Sequence, residues 1–117
     1  MREDTIDETM LASLMEKGLK APGIVVCERC SMWPRDDGLH VSALDVAIIG
    51  KFENDVAKAK QEYGRLCEFL RDRIKAQATL LGLSFKTTDL VDDYNMGGLR
   101  TKEIIAMLRD RRIQFPK

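Results

Sequence analysis

Between Ser42 and Leu81, apolar residues recur about every 3.7 positions, which is the spacing of one face of a straight α-helix. The stretch contains no proline and no obvious turn sequence. Ser42 and Asp45 have the spacing of a capping box at its start, and Gly82 lies where a left-handed residue would end it. The pattern predicts one long central helix over about 43–81. Its apolar face comprises Leu44, Ile48, Phe52, Val56, Ala59, Tyr63, Leu66, Leu70, Ile74, Ala78 and Leu81.

A helix of this length would extend roughly 60 Å, whereas a compact domain of 117 residues is roughly 35 Å across. The rest of the chain could not cover its apolar face, so the pattern predicts a homodimer. Small residues recur every seven positions at Gly50, Ala57 and Gly64, where two helices could approach closely. The predicted interface consists of these three residues together with Tyr63, Leu66, Leu70 and Ile74. A kink at Gly50 or Gly64 is the alternative.

Shorter elements are predicted on both sides of the long helix. The predicted fold class is mainly α, with a single helical domain over 1–117. A first helix is predicted over 6–17, after a capping box at Thr5. Residues 24–41 form a small connector, irregular or two-stranded, because β-branched residues precede turn-forming ones. Two short helices are predicted within 88–112, separated by a glycine-containing loop.

The connector contains a Cys-x-x-Cys sequence, Cys27 to Cys30. Two thiolates at this spacing can share a tetrahedral zinc ion, and His40 and Cys67 could complete the set of four ligands. The alternatives are two partly buried thiols without a special role, or redox or catalytic activity at Cys27 and Cys30. Pro34 and the following turn leave no room for the helix that would activate a thiol, so zinc ranks above redox chemistry.

The net charge is zero, but the C-terminal end is basic: residues 100–117 contain six basic and two acidic side chains. Basic residues on one helix can contact nucleic-acid phosphates. The candidate contacts are Lys102, Arg109, Arg111 and Arg112, and the alternative is an ordinary solvated surface.

No apolar run reaches the length of a membrane span, and the acidic start is unlike a signal peptide. Together with an odd number of cysteines, this predicts a cytoplasmic protein that does not contact membranes. The predicted function is that of a non-enzymatic, self-associating regulatory protein that acts by binding another protein, with no cofactor or with zinc. Nucleic-acid binding through the C-terminal helix, with or without a zinc-stapled turn, is the alternative. Thiol chemistry at Cys27 and Cys30 is a second alternative.

Overall fold

A computed structural model describes residues 4–28 and 32–116 of the chain. Within these ranges, six helices pack together with one small three-stranded sheet, so the fold is mainly helical. The Cα radius of gyration is 12.8 Å and the principal extents are 39 × 29 × 25 Å. The elements are α1 (Glu8–Gly18), β1 (Ile24–Val26), β2 (Trp33–Arg35), β3 (Gly38–Val41), α2 (Ala43–Lys51), α3 (Val56–Leu70), α4 (Arg73–Leu81), α5 (Phe85–Met96) and α6 (Thr101–Arg109).

The prediction of one long helix over 43–81 is wrong, because this stretch forms three helices, α2, α3 and α4, of which the longest has 15 residues. Both predicted ends are confirmed. The Ser42 backbone N–H donates to Asp45 Oδ2 at 3.1 Å, and Gly82 ends α4 in the left-handed region with φ of 71°. The error therefore lies in the interior of the stretch.

The first break lies between α2 and α3, where Glu53 and Asn54 adopt left-handed conformations with φ of 55° and 62°. Asn54 also donates its side-chain amide to the carbonyl of Lys17 at 2.9 Å, which fixes the turn to the end of α1. Asp55 then starts a new helix, because its Oδ1 accepts from the Lys58 backbone N–H at 3.1 Å.

The second break, between α3 and α4, uses the same chemistry. Arg71 is left-handed with φ of 53°, and Asp72 Oδ1 accepts from the Lys75 backbone N–H at 3.1 Å. The left-handed conformation is uncommon for a residue with a side chain, and it turns the chain back on itself. As a result α4 lies beside α3, and much of the apolar face is covered within one chain.

The core is built around α2, in which every residue from Ala43 to Gly50 is buried. Helix α1 crosses α2 backbone to backbone at Gly18 and Gly50. A Cβ added to Gly50 would overlap the Leu14 carbonyl oxygen, and one added to Gly18 would overlap the Val46 carbonyl oxygen. The close helix approach predicted at Gly50 therefore occurs, but the partner is α1 of the same chain.

The connector forms three strands, where the sequence predicted an irregular or two-stranded segment. The strand order is β1-β3-β2, with β1 parallel to β3 and β2 antiparallel to it. Leu39 and Val41 are buried. His40, between them on β3, lies on the other face of the sheet, where it is paired with Trp33 of β2. Trp33 is 61% exposed, so this outer face is open to solvent.

The two short C-terminal helices predicted within 88–112 correspond to α5 and α6. The first helix is displaced slightly from its prediction, because Asp7 caps α1 by accepting from the Met10 backbone N–H at 2.8 Å. Among the described residues, no helix has both the length and the apolar character that a membrane span requires.

Candidate functional site

The most exposed large apolar side chain in the described part of the chain is at the end of α3. Phe69 is 79% exposed, and Leu66 and Leu70 lie beside it on the helix surface, three residues before and one residue after it. Leu66 is partly buried against the core, and Leu70 has intermediate exposure. We call these three residues the Phe69 patch. It lies on a peripheral helix, because only Ala59 and Tyr63 of α3 are buried.

The predicted interface residues are distributed over three helices of the folded chain. Gly50 is buried between α1 and α2, and Ile74 is buried on α4. Tyr63 is only 6% exposed. Ala57 and Gly64 are exposed, and a Cβ at Gly64 would meet no other atom within 4 Å. Of the predicted interface residues, Leu66 and Leu70 are partly accessible. The sequence analysis did not select Phe69, because it lies outside the apolar face of the predicted long helix.

A buried polar cluster lies beneath α3 and joins α2 to α4. The fully buried Asp45 carboxylate accepts from Ser42 Oγ at 3.0 Å and from Gln77 Nε2 at 3.0 Å. Burial raises the pKa of Asp45 above its ordinary value of 3.8, although the hydrogen bonds from Ser42 and Gln77 oppose the shift. Burial likewise raises the pKa of Tyr63 and that of the adjacent Cys67 thiol. A neutral, unreactive thiol at Cys67 follows from this environment.

An ion pair fixes α4 to α5 at the edge of this cluster. Arg73 donates through Nη1 to Asp92 Oδ1 at 2.9 Å and through Nη2 to Asp92 Oδ2 at 3.3 Å. The hydrogen bond to Asp92 raises the pKa of Arg73. Because the Asp92 carboxylate is nearly buried and both of its oxygens accept hydrogen bonds, the ion pair stabilises the packing of α4 against α5.

The predicted zinc ligands lie on separate elements. Cys27 follows β1, with its Sγ 3.6 Å from the Val41 carbonyl oxygen. His40 Nε2 lies 2.8 Å from Asp37 Oδ1, and this contact lowers the pKa of Asp37. Cys67 is on α3, and Cys30 lies outside the described residues. Over 4–28 and 32–116, no three His, Cys, Asp or Glu side chains come together as a metal site.

The basic residues of the C-terminal end are partly neutralised by carboxylates. Arg109 Nη1 lies 2.6 Å from Glu16 Oε2 on α1, and this contact lowers the pKa of Glu16. Arg112 lies 3.3 Å from Asp110. Lys102 and Arg111 are exposed. The four candidate nucleic-acid contacts therefore do not form one concentrated cationic surface.

A different pair of helices, α4 and α5, is connected by a turn of the length found in a helix-turn-helix. Helices α4 and α5 pack together and are joined by a turn of three residues that starts with left-handed Gly82. Leu83 within the turn and Val91 on α5 are fully buried, and Ser84 caps α5 by accepting from the Thr87 backbone N–H at 3.1 Å. The sequence did not predict this pair, because the residues of α4 were assigned to the end of one longer helix.

Comparison of the chain with models of known protein families gives no match, and comparisons with curated proteins and with solved structures give none either.

Proposed function

We propose that the chain is a non-enzymatic binding protein that self-associates through the Phe69 patch. The observation that supports this most strongly is the 79% exposure of the Phe69 side chain. An aromatic ring of this size loses a large apolar area from water when a partner covers it, and aromatic residues often dominate binding energy at interfaces. Leu66 lies beside the ring on α3, and Leu70, one turn after Leu66, extends the apolar surface further.

The charges around the patch favour a second copy of the same chain as the partner. Glu62 and Arg65 lie on the same side of α3 as Phe69 and form an ion pair at 3.0 Å. In a two-fold contact centred on Phe69, the neutral Glu62–Arg65 pair of each copy lies away from the centre and brings no net charge against the other copy. The net charge of zero removes the long-range repulsion that would oppose such a contact.

Phe69→Ser is expected to raise the dissociation constant for self-association by at least about tenfold, because it removes the apolar ring from the centre of the contact. The measurement is sedimentation equilibrium over a range of protein concentrations. Phe85→Ser is the matched control, since Phe85 is also exposed, at 48%, but lies on α5. A chain that stays monomeric at every concentration, or equal effects of the two substitutions, would contradict the proposal.

Nucleic-acid binding is the second candidate function, and the three-residue turn between α4 and α5 is the observation that favours it. In helix-turn-helix proteins, the second helix enters the major groove of DNA. The exposed Lys75 on α4 and Lys86 on α5 could contact phosphates. However, Asp93 is also exposed on α5 and Asp89 is partly exposed, and these acidic side chains oppose the approach of DNA. For this reason we rank this function second.

If α4 and α5 bind DNA, Lys75→Ala and Lys86→Ala should each weaken the binding and reduce the salt slope by about 1. Fluorescence anisotropy with a labelled duplex at several salt concentrations measures both quantities. Lys60→Ala on α3 is the control and should change neither. Equal effects of the three substitutions would show that DNA binding depends on the overall positive charge and not on α4 and α5.

A further inference from the structure

Strand β1 lies at one end of the sheet, next to a cavity. The strand order is β1-β3-β2, so β1 is paired on one side only within the part of the chain that the structure describes. A cavity of about 630 Å³ lies between the end of β1, at Val26, and the start of α6. Among the described residues, none of β2 or β3 lines it. The cavity therefore lies beside β1 and not under the centre of the sheet.

The hydrogen bonds between β1 and β3 show which backbone groups of β1 point away from the sheet. The Gly23 carbonyl accepts from a β3 backbone N–H at 2.9 Å, and the Cys27 N–H donates to a β3 carbonyl at 2.8 Å. Backbone groups of alternate residues in a strand point to the same side, so those of Ile24 and Val26 face away from β3. Among the described residues, neither has a backbone hydrogen bond to another segment.

The two edges of the sheet differ in their capacity to pair with a further strand. β2 has Pro34 at its centre, and proline has no backbone N–H to donate. Proline and charged side chains are the residues that commonly prevent pairing at an edge, and Ile24–Val26 contains neither. The outward backbone groups of β1 therefore provide the donors and acceptors that an added strand needs.

The side chains at the β1 edge are apolar. Ile24 and Val26 pair with buried residues of β3, so their side chains lie on the inner face of the sheet. Val26 nevertheless remains 39% exposed, and it lines the cavity together with Leu19. The charged side chains in the lining are two acidic and two basic residues, so their charges cancel. The cavity therefore favours an apolar side chain over a charged one.

We propose that β1 binds an extended apolar segment of a partner protein, which adds a strand to the sheet and places an apolar side chain in the cavity. The backbones of Ile24 and Val26 provide the hydrogen bonds. Because α6 forms the opposite wall, the cavity accepts an extended segment, whereas the β1 strand of a second copy would bring its own sheet against α6. This site is independent of the Phe69 patch, which lies on α3.

The probe is the peptide Ac-Thr-Val-Thr-Val-Thr-NH₂, whose valines lie on one face when the peptide is extended. Hydrogen exchange of the full ¹⁵N-labelled chain is followed by NMR. With saturating peptide, the amides of Ile24 and Val26 should exchange at least about tenfold more slowly, because they become hydrogen-bonded. The amides of Val25 and Cys27, which already face β3, should change little. No protection at Ile24 and Val26, or equal protection of both pairs, would overturn the proposal.

Two N-methylated forms of the peptide separate backbone hydrogen bonding from apolar contact. One carries methyl groups on both valine nitrogens, and the other carries them on the nitrogens of the last two threonines. Since N–H groups alternate along a strand, only one of the two sets faces β1. One methylated peptide should therefore bind at least about tenfold more weakly than the other, although their compositions are identical. Equal affinities would overturn the proposal.

Val26→Lys should weaken peptide binding by at least about tenfold, because it places a charge at the apolar edge. Met10→Lys is the matched control, since Met10 is also an exposed apolar residue but lies on α1, and it should leave binding unchanged. Equal effects of the two substitutions would overturn the proposal. So would protection of the Ile24 and Val26 amides that rises with the concentration of the chain alone, because a second copy would then occupy the edge.

Discussion

Gly50→Ala is expected to lower the free energy of unfolding by about 3 kcal/mol, because the added methyl group would overlap the backbone of α1. The nearest atom is the carbonyl oxygen of Leu14, and the Gly18 backbone nitrogen is also close, at 3.1 Å. Backbone atoms cannot move aside as a flexible side chain can. The two helices would have to separate, and the fully buried contacts of α2 would loosen with them.

Gly64→Ala is the matched control, and the effect should have the opposite sign. Gly64 lies in the interior of α3, where an added Cβ meets nothing within 4 Å, so alanine should stabilise the chain by about 0.5–1 kcal/mol through helix propensity. Urea denaturation measures both effects, on a Phe69→Ser background so that self-association does not contribute. A loss of stability at Gly64, or none at Gly50, would contradict the helix packing described above.

Asp45→Ala is expected to destabilise the chain by about 3 kcal/mol, because it leaves buried donors of Ser42 and Gln77 without an acceptor and removes the cap of α2. Asp45→Asn should be far milder. Its side-chain oxygen can still accept from Ser42, and its amide can donate to Gln77 Oε1, which has no partner among the described residues. Urea denaturation at neutral pH compares the two variants.

The charge of Asp45 also predicts a pH dependence. Burial raises the pKa of this carboxyl above 3.8, so the folded chain holds the proton more tightly than the unfolded chain. The stabilisation from this proton is complete below the unfolded pKa and is lost as the pH rises through the folded pKa. The free energy of unfolding of Asp45→Asn relative to the natural chain should therefore increase over that pH range. A constant difference would show that Asp45 titrates normally.

The sequence predicted the helical class and both ends of the 43–81 stretch, but not its breaks, and the reason is physical. Three amphipathic helices that pack on a common core have apolar residues at the same spacing as one long helix. The spacing therefore continues without a visible change across both turns. The breaks depend on Asp55 and Asp72 as caps and on left-handed Asn54 and Arg71. In the sequence, the two aspartates resemble ordinary polar residues on a solvated helix face.

The candidate sites were less predictable, because each depends on which elements meet in space. Gly50 was correctly expected to allow a close helix approach, but the sequence could not show that Gly18 of the same chain is opposite. Phe69 lies off the apolar stripe, and only the fold shows that the ring remains exposed. The prediction of a dimer no longer follows from an uncovered long helix, and it now depends on the Phe69 patch. Zinc binding and a cytoplasmic location stay predictions.

The most direct test of self-association through α3 is isotope-filtered NOE spectroscopy on a mixture of ¹³C-labelled and unlabelled chains, which detects only contacts between copies. Our account predicts cross-peaks from the Phe69 ring of one copy to the methyl groups of Leu66 and Leu70 in the other. Cross-peaks confined to another surface, such as that around Phe85 on α5, would contradict it, as would a sample without any contacts between copies.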